Sequence, residues 1–117
     1  MLKWGKKDLS MLDPHTRFSR CLEAGRYFEA HEALELVWFP IRRRKTARSR
    51  ALQGLINASV SFELILRGRP EAARRTWETF EKYRPYICEL IEGGASEYRI
   101  SLSAVEAVYK KFEDIYG

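Results

Sequence analysis

Between Ala51 and Leu66 the chain carries one formal charge, Glu63, in a protein 32% of whose residues are charged. The stretch is too short for a membrane span, which needs about 18 apolar residues, and Gln53 and Asn57 interrupt it. A helix that is apolar nearly all round has to be covered on most of its sides. The spacing therefore predicts a central buried helix over about 47–67, with Gly68 as its stop, and requires other helices around it.

The punctuation supplies those helices. Asp13-Pro14 reads as an N-cap followed by proline at the first helical position, and Phe18, Cys21 and Leu22 then recur at helical spacing up to Gly25. A second helix is predicted from Tyr27 to Phe39, where Pro40 ends it. Pro70 opens a fourth, to about Tyr83. Arg84-Pro85 is expected to break it, with a short helix over 85–92 beyond. Ser103-Ala104-Val105-Glu106 has capping-box spacing and predicts the start of a last helix. Its apolar side is Val105, Val108, Tyr109, Phe112, Ile115 and Tyr116. No alternating strand pattern of useful length occurs. The expectation is an all-α, antiparallel up-and-down bundle of five or six helices.

A faint internal echo supports hairpins. Gly25-Arg26-Tyr27-Phe28-Glu29-Ala30 resembles Gly68-Arg69-Pro70-Glu71-Ala72-Ala73, 43 residues on, and both sit at a helix-to-helix corner. The period does not fit a solenoid, and any tight corner favours a glycine and a small residue. A length of 117 residues predicts one domain over 1–117, with a weakly patterned arm over 1–12 and the C-terminal helices over 85–117. The arm has lysines but no continuous apolar core after them, so it does not read as a secretion signal, and a cytosolic location is expected. Cys21 and Cys88 stand alone without a Cys-x-x-Cys pair, which excludes a zinc ribbon or thioredoxin-type site and suits reduced thiols.

One constellation carries chemistry. On the second helix, Tyr27, Phe28, His31, Leu34, Glu35 and Trp38 fall within one arc, Glu32 lies on its border and Glu29 points away. A histidine and a carboxylate one turn apart thus share a face with large aromatics. A buried carboxylate costs several kcal/mol unless it is paired. Gln53 and Asn57, one turn apart on the third helix, can both donate and accept. The expectation is that His31, Glu35, Gln53 and Asn57 meet between helices two and three, with Glu32 at the rim and the Trp38 indole and Tyr27 hydroxyl beside them. Three readings stay open: a polar network that fixes register, a metal site, or a small-molecule pocket with acid–base chemistry. The metal reading lacks a complete ligand set, because neither His15 nor His31 completes the Glu-x-x-His pair on two helices that a di-iron bundle uses. No cofactor is implied by any motif.

The run Gly25-x-Tyr27-Phe28-Glu29-Ala30-His31-Glu32-x-Leu34-Glu35-x-x-Trp38, then Leu52-Gln53-Gly54-Leu55-Ile56, then Gly68 with Ala72-Ala73, resembles the family catalogued as domain of unknown function 309, a group of small prokaryotic helical proteins. The resemblance spans roughly 14–83. It implies a helical up-and-down bundle, with Glu29, His31, Glu32, Glu35, Trp38, Gln53 and Gly54 as signature positions. It implies no reaction. The chain departs from the pattern at Asn57, where a second glutamine is common, and at Arg69, where an asparagine often follows the glycine.

The connection over 42–50 also looks unusually basic for such a protein. Six of its nine residues are cationic: Arg42, Arg43, Arg44, Lys45, Arg48 and Arg50. Removing them from the 21 basic residues leaves 15 against 16 acidic ones, so the net charge of +5 is one local patch on a near-neutral chain. Such a run suits phosphates of RNA, DNA or another anion, or it is simply a solvated loop. It lacks the interleaved aromatics of single-strand binders. The sequence thus reads as a binding or interaction module with a polar cluster and an anion-attracting connection. The alternatives are a metal- or small-ligand-dependent enzyme using His31 and Glu35, and a bundle that self-associates through an exposed aromatic face.

Overall fold

The computed structural model describes residues 12–117. All but the last residue of the arm expected over 1–12 lies outside the described residues. Helix α1 is Pro14–Glu23, α2 Tyr27–Trp38, α3 Ala47–Leu66, α4 Pro70–Glu92, α5 Glu97–Lys111 and α6 Glu113–Tyr116, and one 3₁₀ turn, Phe39–Ile41, follows α2. Among the described residues there is no strand, and none of these helices is long and apolar enough to cross a membrane. The all-α bundle is the fold.

Local chemistry sets the corners. Asp13 caps α1 by accepting the N–H groups of His15 and Thr16 at 3.1 Å each. Thr46 caps α3 by accepting from Ser49 N–H at 3.1 Å. Gly25 and Gly68 both adopt the left-handed conformation, at φ 77° and 73°. At each, the N–H three residues past the helix end turns back to a carbonyl of the last turn: Arg26 to Cys21 and Arg69 to Leu64, both at 2.9 Å. The sequence echo between the two corners is this shared cap, which needs a residue without a Cβ penalty.

α3 is the hub. It packs most extensively on α4, then on α2, and also touches α5, while α1 lies against α2 and α5. α2, α3 and α4 thus form one layer with α3 in the middle, and α1 and α5 form the second. Ten of the 20 residues of α3 are buried. Toward α4 it presents Gly54, where an added Cβ would stand 2.9 Å from Tyr83 Cβ. Seven residues on, the Ser61 hydroxyl donates to the Ala73 carbonyl and accepts from the Tyr116 hydroxyl, both at 2.6 Å. Phe62 is fully buried and meets the rings of Tyr27, Trp77, Phe112 and Tyr116. α3 is the central helix that its apolar run predicts. Arg50, Gln53, Asn57, Val60 and Leu64, spaced three and four apart, form a partly exposed stripe along it.

Three boundaries differ from expectation. α4 runs unbroken through Pro85. A helix-interior proline costs about 3 kcal/mol, but burying one large aliphatic side chain returns about 1.5–3 kcal/mol. Beyond Pro85, Ile87 is fully buried and Tyr86, Leu90 and Ile91 pack on the core. The last long helix starts at Glu97, not Ser103, because its first turns are held by the core: Tyr98 and Ser101 are buried, and His15 Nδ1 lies 2.8 Å from Ser101 Oγ. Glu106, expected in a capping box, instead pairs with Arg84 of α4. The apolar run to Tyr116 also breaks after Lys111, and α6 turns Tyr116 onto Trp77 and Tyr109 at ring separations of 4.9 and 5.3 Å. Cys21 is buried, Cys88 exposed, and both are free thiols.

Candidate functional site

α2 buries Tyr27, Ala30, Ala33 and Leu34. The two alanines let it sit close to its neighbours, so the inward side of the helix is its small side. The aromatic arc is thereby split. Tyr27 turns into the core against Phe62 and takes its hydroxyl away from the expected cluster. Burial pushes that phenol above its ordinary range, with the Glu63 carboxylate adding to the rise. Phe28 turns outward and is 49% exposed. His31, Glu35 and Trp38 lie on the border between the two sides, partly buried, and Glu32 is exposed.

α2 and α3 are antiparallel, since Phe28 and His31 share a cleft with Val60, Glu63, Leu64 and Arg67. Val60 and Leu64 of the partly exposed α3 stripe therefore lie beside Phe28 and His31 of α2. The expected residues form two local pairs, each within one helix. His31 Nε2 lies 3.6 Å from Glu35 Oε1, close but longer than a hydrogen bond. Asn57 Nδ2 donates to the Gln53 carbonyl at 2.8 Å. Among the described residues no hydrogen bond joins one pair to the other; each closes on its own helix.

The His31 ring is anchored. Its Nδ1 lies 2.6 Å from the Phe28 carbonyl oxygen, which can only accept, so Nδ1 donates to it. The other ring nitrogen, Nε2, faces Glu35. A ring held by a backbone carbonyl in this way suits a base or a metal ligand. Among the described residues, however, no three His, Cys, Asp or Glu side chains converge as a metal set. The Trp38 indole Nε1 is buried and, among the described residues, donates to no group.

In the connection between α2 and α3, Arg42, Arg43, Arg44 and Lys45 are all exposed. Arg42 donates to the Phe39 carbonyl at 2.7 Å and lies 5.2 Å over the Phe39 ring, which is itself 49% exposed. Among the described residues none of these four cations, nor Arg48, has a carboxylate within ion-pair distance. Arg50 differs: its guanidinium donates to the Tyr86 hydroxyl at 3.0 Å and lies over that ring, which ties it to α4.

Two groupings went unrecognised in the sequence. His15 is the more buried histidine, and the burial holds it below the ordinary imidazole range, against the opposing pull of Glu97 and Asp13. Ser101 is fully buried, and its hydroxyl hydrogen-bonds with His15 Nδ1 at 2.8 Å. The Tyr98 hydroxyl beside them is buried and, among the described residues, has no hydrogen-bond partner. The second grouping is the apolar cleft around Phe28, which shares only His31 with the expected polar cluster. No local motif marks either, because each joins residues far apart in sequence.

A family model described as Domain of unknown function (DUF309) matches residues 16–76. The match takes in most of α1, all of α2 and α3 and the first part of α4, including every residue of the candidate cluster and of the basic connection. No curated protein and no solved structure matches the chain.

Proposed function

The chain belongs to the family described as Domain of unknown function (DUF309), and from that premise we propose that it is a binding module whose contact surface is the basic connection over 42–50. The observation that supports this reading is the row Arg42, Arg43, Arg44 and Lys45, exposed and, among the described residues, unmatched by carboxylates. Four adjacent cations held out in solvent repel one another unless a polyanion neutralises them. Arginines add planar, bidentate recognition of phosphate oxygens. The partner class is a phosphate backbone, read by charge and without base contacts.

The test is fluorescence anisotropy with RNA and DNA oligomers across a salt series. Four phosphate contacts give a slope of log K against log salt of about −3. Changing Arg42, Arg43, Arg44 and Lys45 to glutamine should weaken binding and flatten that slope. Affinity that ignores salt, or that survives the substitution, overturns the reading.

A second reading is supported by one observation, the His31 ring held at Nδ1 by the Phe28 carbonyl so that Nε2 faces Glu35 on a partly exposed face. In that reading the pair serves a metal- or small-ligand-dependent enzyme. Elemental analysis of the purified protein, together with ligand-induced stabilisation of the parent against His31→Ala and Glu35→Gln, tests it. No bound metal and identical behaviour of all three proteins would end it.

A further inference from the structure

We propose that the cleft between the first turn of α2 and the last turns of α3 binds a small carboxylic acid with an apolar body. The cleft has a volume of about 280 Å³, and Phe28, Val60 and Leu64 form its apolar walls. Phe28 is 49% exposed, and among the described residues nothing covers its outer side. Its ring is nonetheless held in place: His31 packs against it at 4.8 Å and 70°, while His31 is itself anchored to the Phe28 carbonyl. A preformed apolar wall open to water is what a ligand's hydrocarbon portion covers.

The polar end of the same cleft is cationic. Arg67 gives its Nε–H to Glu63 at 2.9 Å, which leaves the rest of its guanidinium fork unused by that carboxylate. Arg69 also lines the cleft and, among the described residues, has no carboxylate within ion-pair distance. Arg69 borders a second surface cleft, lined by Arg74 and Arg75 with Glu71 as its one carboxylate, so the cations outnumber the acid on that side as well. With Glu63 offsetting Arg67, one positive charge remains at the mouth. That matches a singly charged head better than a phosphate, and a planar fork matches a planar carboxylate. The ligand lies with its head on Arg69 and its body along Phe28, Val60 and Leu64.

The site is separate from the basic connection, and its test does not depend on the polyanion reading. The full chain is titrated with butanoate, hexanoate and octanoate, with the matching 1-alkanols and with inorganic phosphate, followed by calorimetry and by amide chemical shifts. Kd should fall about fourfold per added methylene along the acids, the alkanols should bind at least about tenfold more weakly for lack of the charge-assisted bonds, and the shifts should centre on Phe28, Val60, Leu64 and Arg69. Arg69→Gln should erase the preference for acid over alcohol and keep the chain-length dependence. Phe28→Ala, at a half-exposed position, should flatten the chain-length dependence while the protein still unfolds cooperatively. Equal binding of acids and alkanols, an unchanged preference in Arg69→Gln, displacement of octanoate by phosphate alone, or no binding of the acids overturns the proposal.

Discussion

The two long sides of α3 face different environments. Toward α4, Gly54 and Ser61 bring the two helices into direct contact, with a backbone-to-side-chain bond at Ala73 and no room at Gly54 even for a methyl group. Toward the outside, Gln53, Asn57, Val60 and Leu64 lie partly exposed, and the Asn57 amide donates back to the Gln53 backbone carbonyl of its own helix. The inner seam uses small residues because close approach maximises burial and leaves no void. The outer side keeps amides and a cleft, and tolerates them because water reaches both. Stability should therefore concentrate in the seam and binding in the cleft.

Phe62→Ala is the harshest test of that division. It empties the point where four other rings meet and should cost about 3–5 kcal/mol in urea unfolding. A cost under about 1 kcal/mol would mean that the seam is not where stability resides. Gly54→Val places a branched side chain against Tyr83 and should cost about 1–3 kcal/mol through overpacking. Unfolding at an unchanged midpoint would show that α4 moves away freely.

His15 probes the second layer through pH. Its folded pKa lies below its unfolded value, so the unfolded chain binds more protons in between. Its contribution is therefore complete above about pH 6.5 and declines as pH falls through that value toward the depressed folded one. His15→Gln should remove that part of the acid destabilisation, seen as a smaller difference between urea midpoints at pH 7.5 and pH 5. Ser101→Ala should cost about 1 kcal/mol at neutral pH by leaving the imidazole nitrogen unpaired. The smallest effect belongs to the outer stripe: Asn57→Ala should change stability by no more than about 0.5 kcal/mol. A loss above about 2 kcal/mol there would make the amides structural and dissolve the contrast between the two sides.

Some of this was legible in the sequence and some was not. The Asp13 cap, the Gly25 and Gly68 corners and the span of α3 are decided within about five residues of chain, so local spacing reveals them. The His31–Glu35 pair was legible for the same reason, being one turn apart. The orientation of α2 was not. Its wheel showed an aromatic arc, but a wheel does not say that Ala30 and Ala33 are the side on which neighbours close. Gly54 stood out as a signature position of the resembled family, while its role as a contact point became visible only with Tyr83 beside it.

The sequence by itself determined that the chain is helical, where most helices stop, that α3 is central and that the positive charge is concentrated in one connection. These follow from backbone conformation, hydrophobic periodicity and residue counts, all of them local. Only the tertiary structure decided that α4 continues through Pro85, that α5 begins before its capping box, and that the outer side of α2 and α3 is an open cleft. Each of these depends on burial against distant residues. Such contacts contribute energies comparable to or larger than a cap or a proline, and they override the local signal where the two disagree.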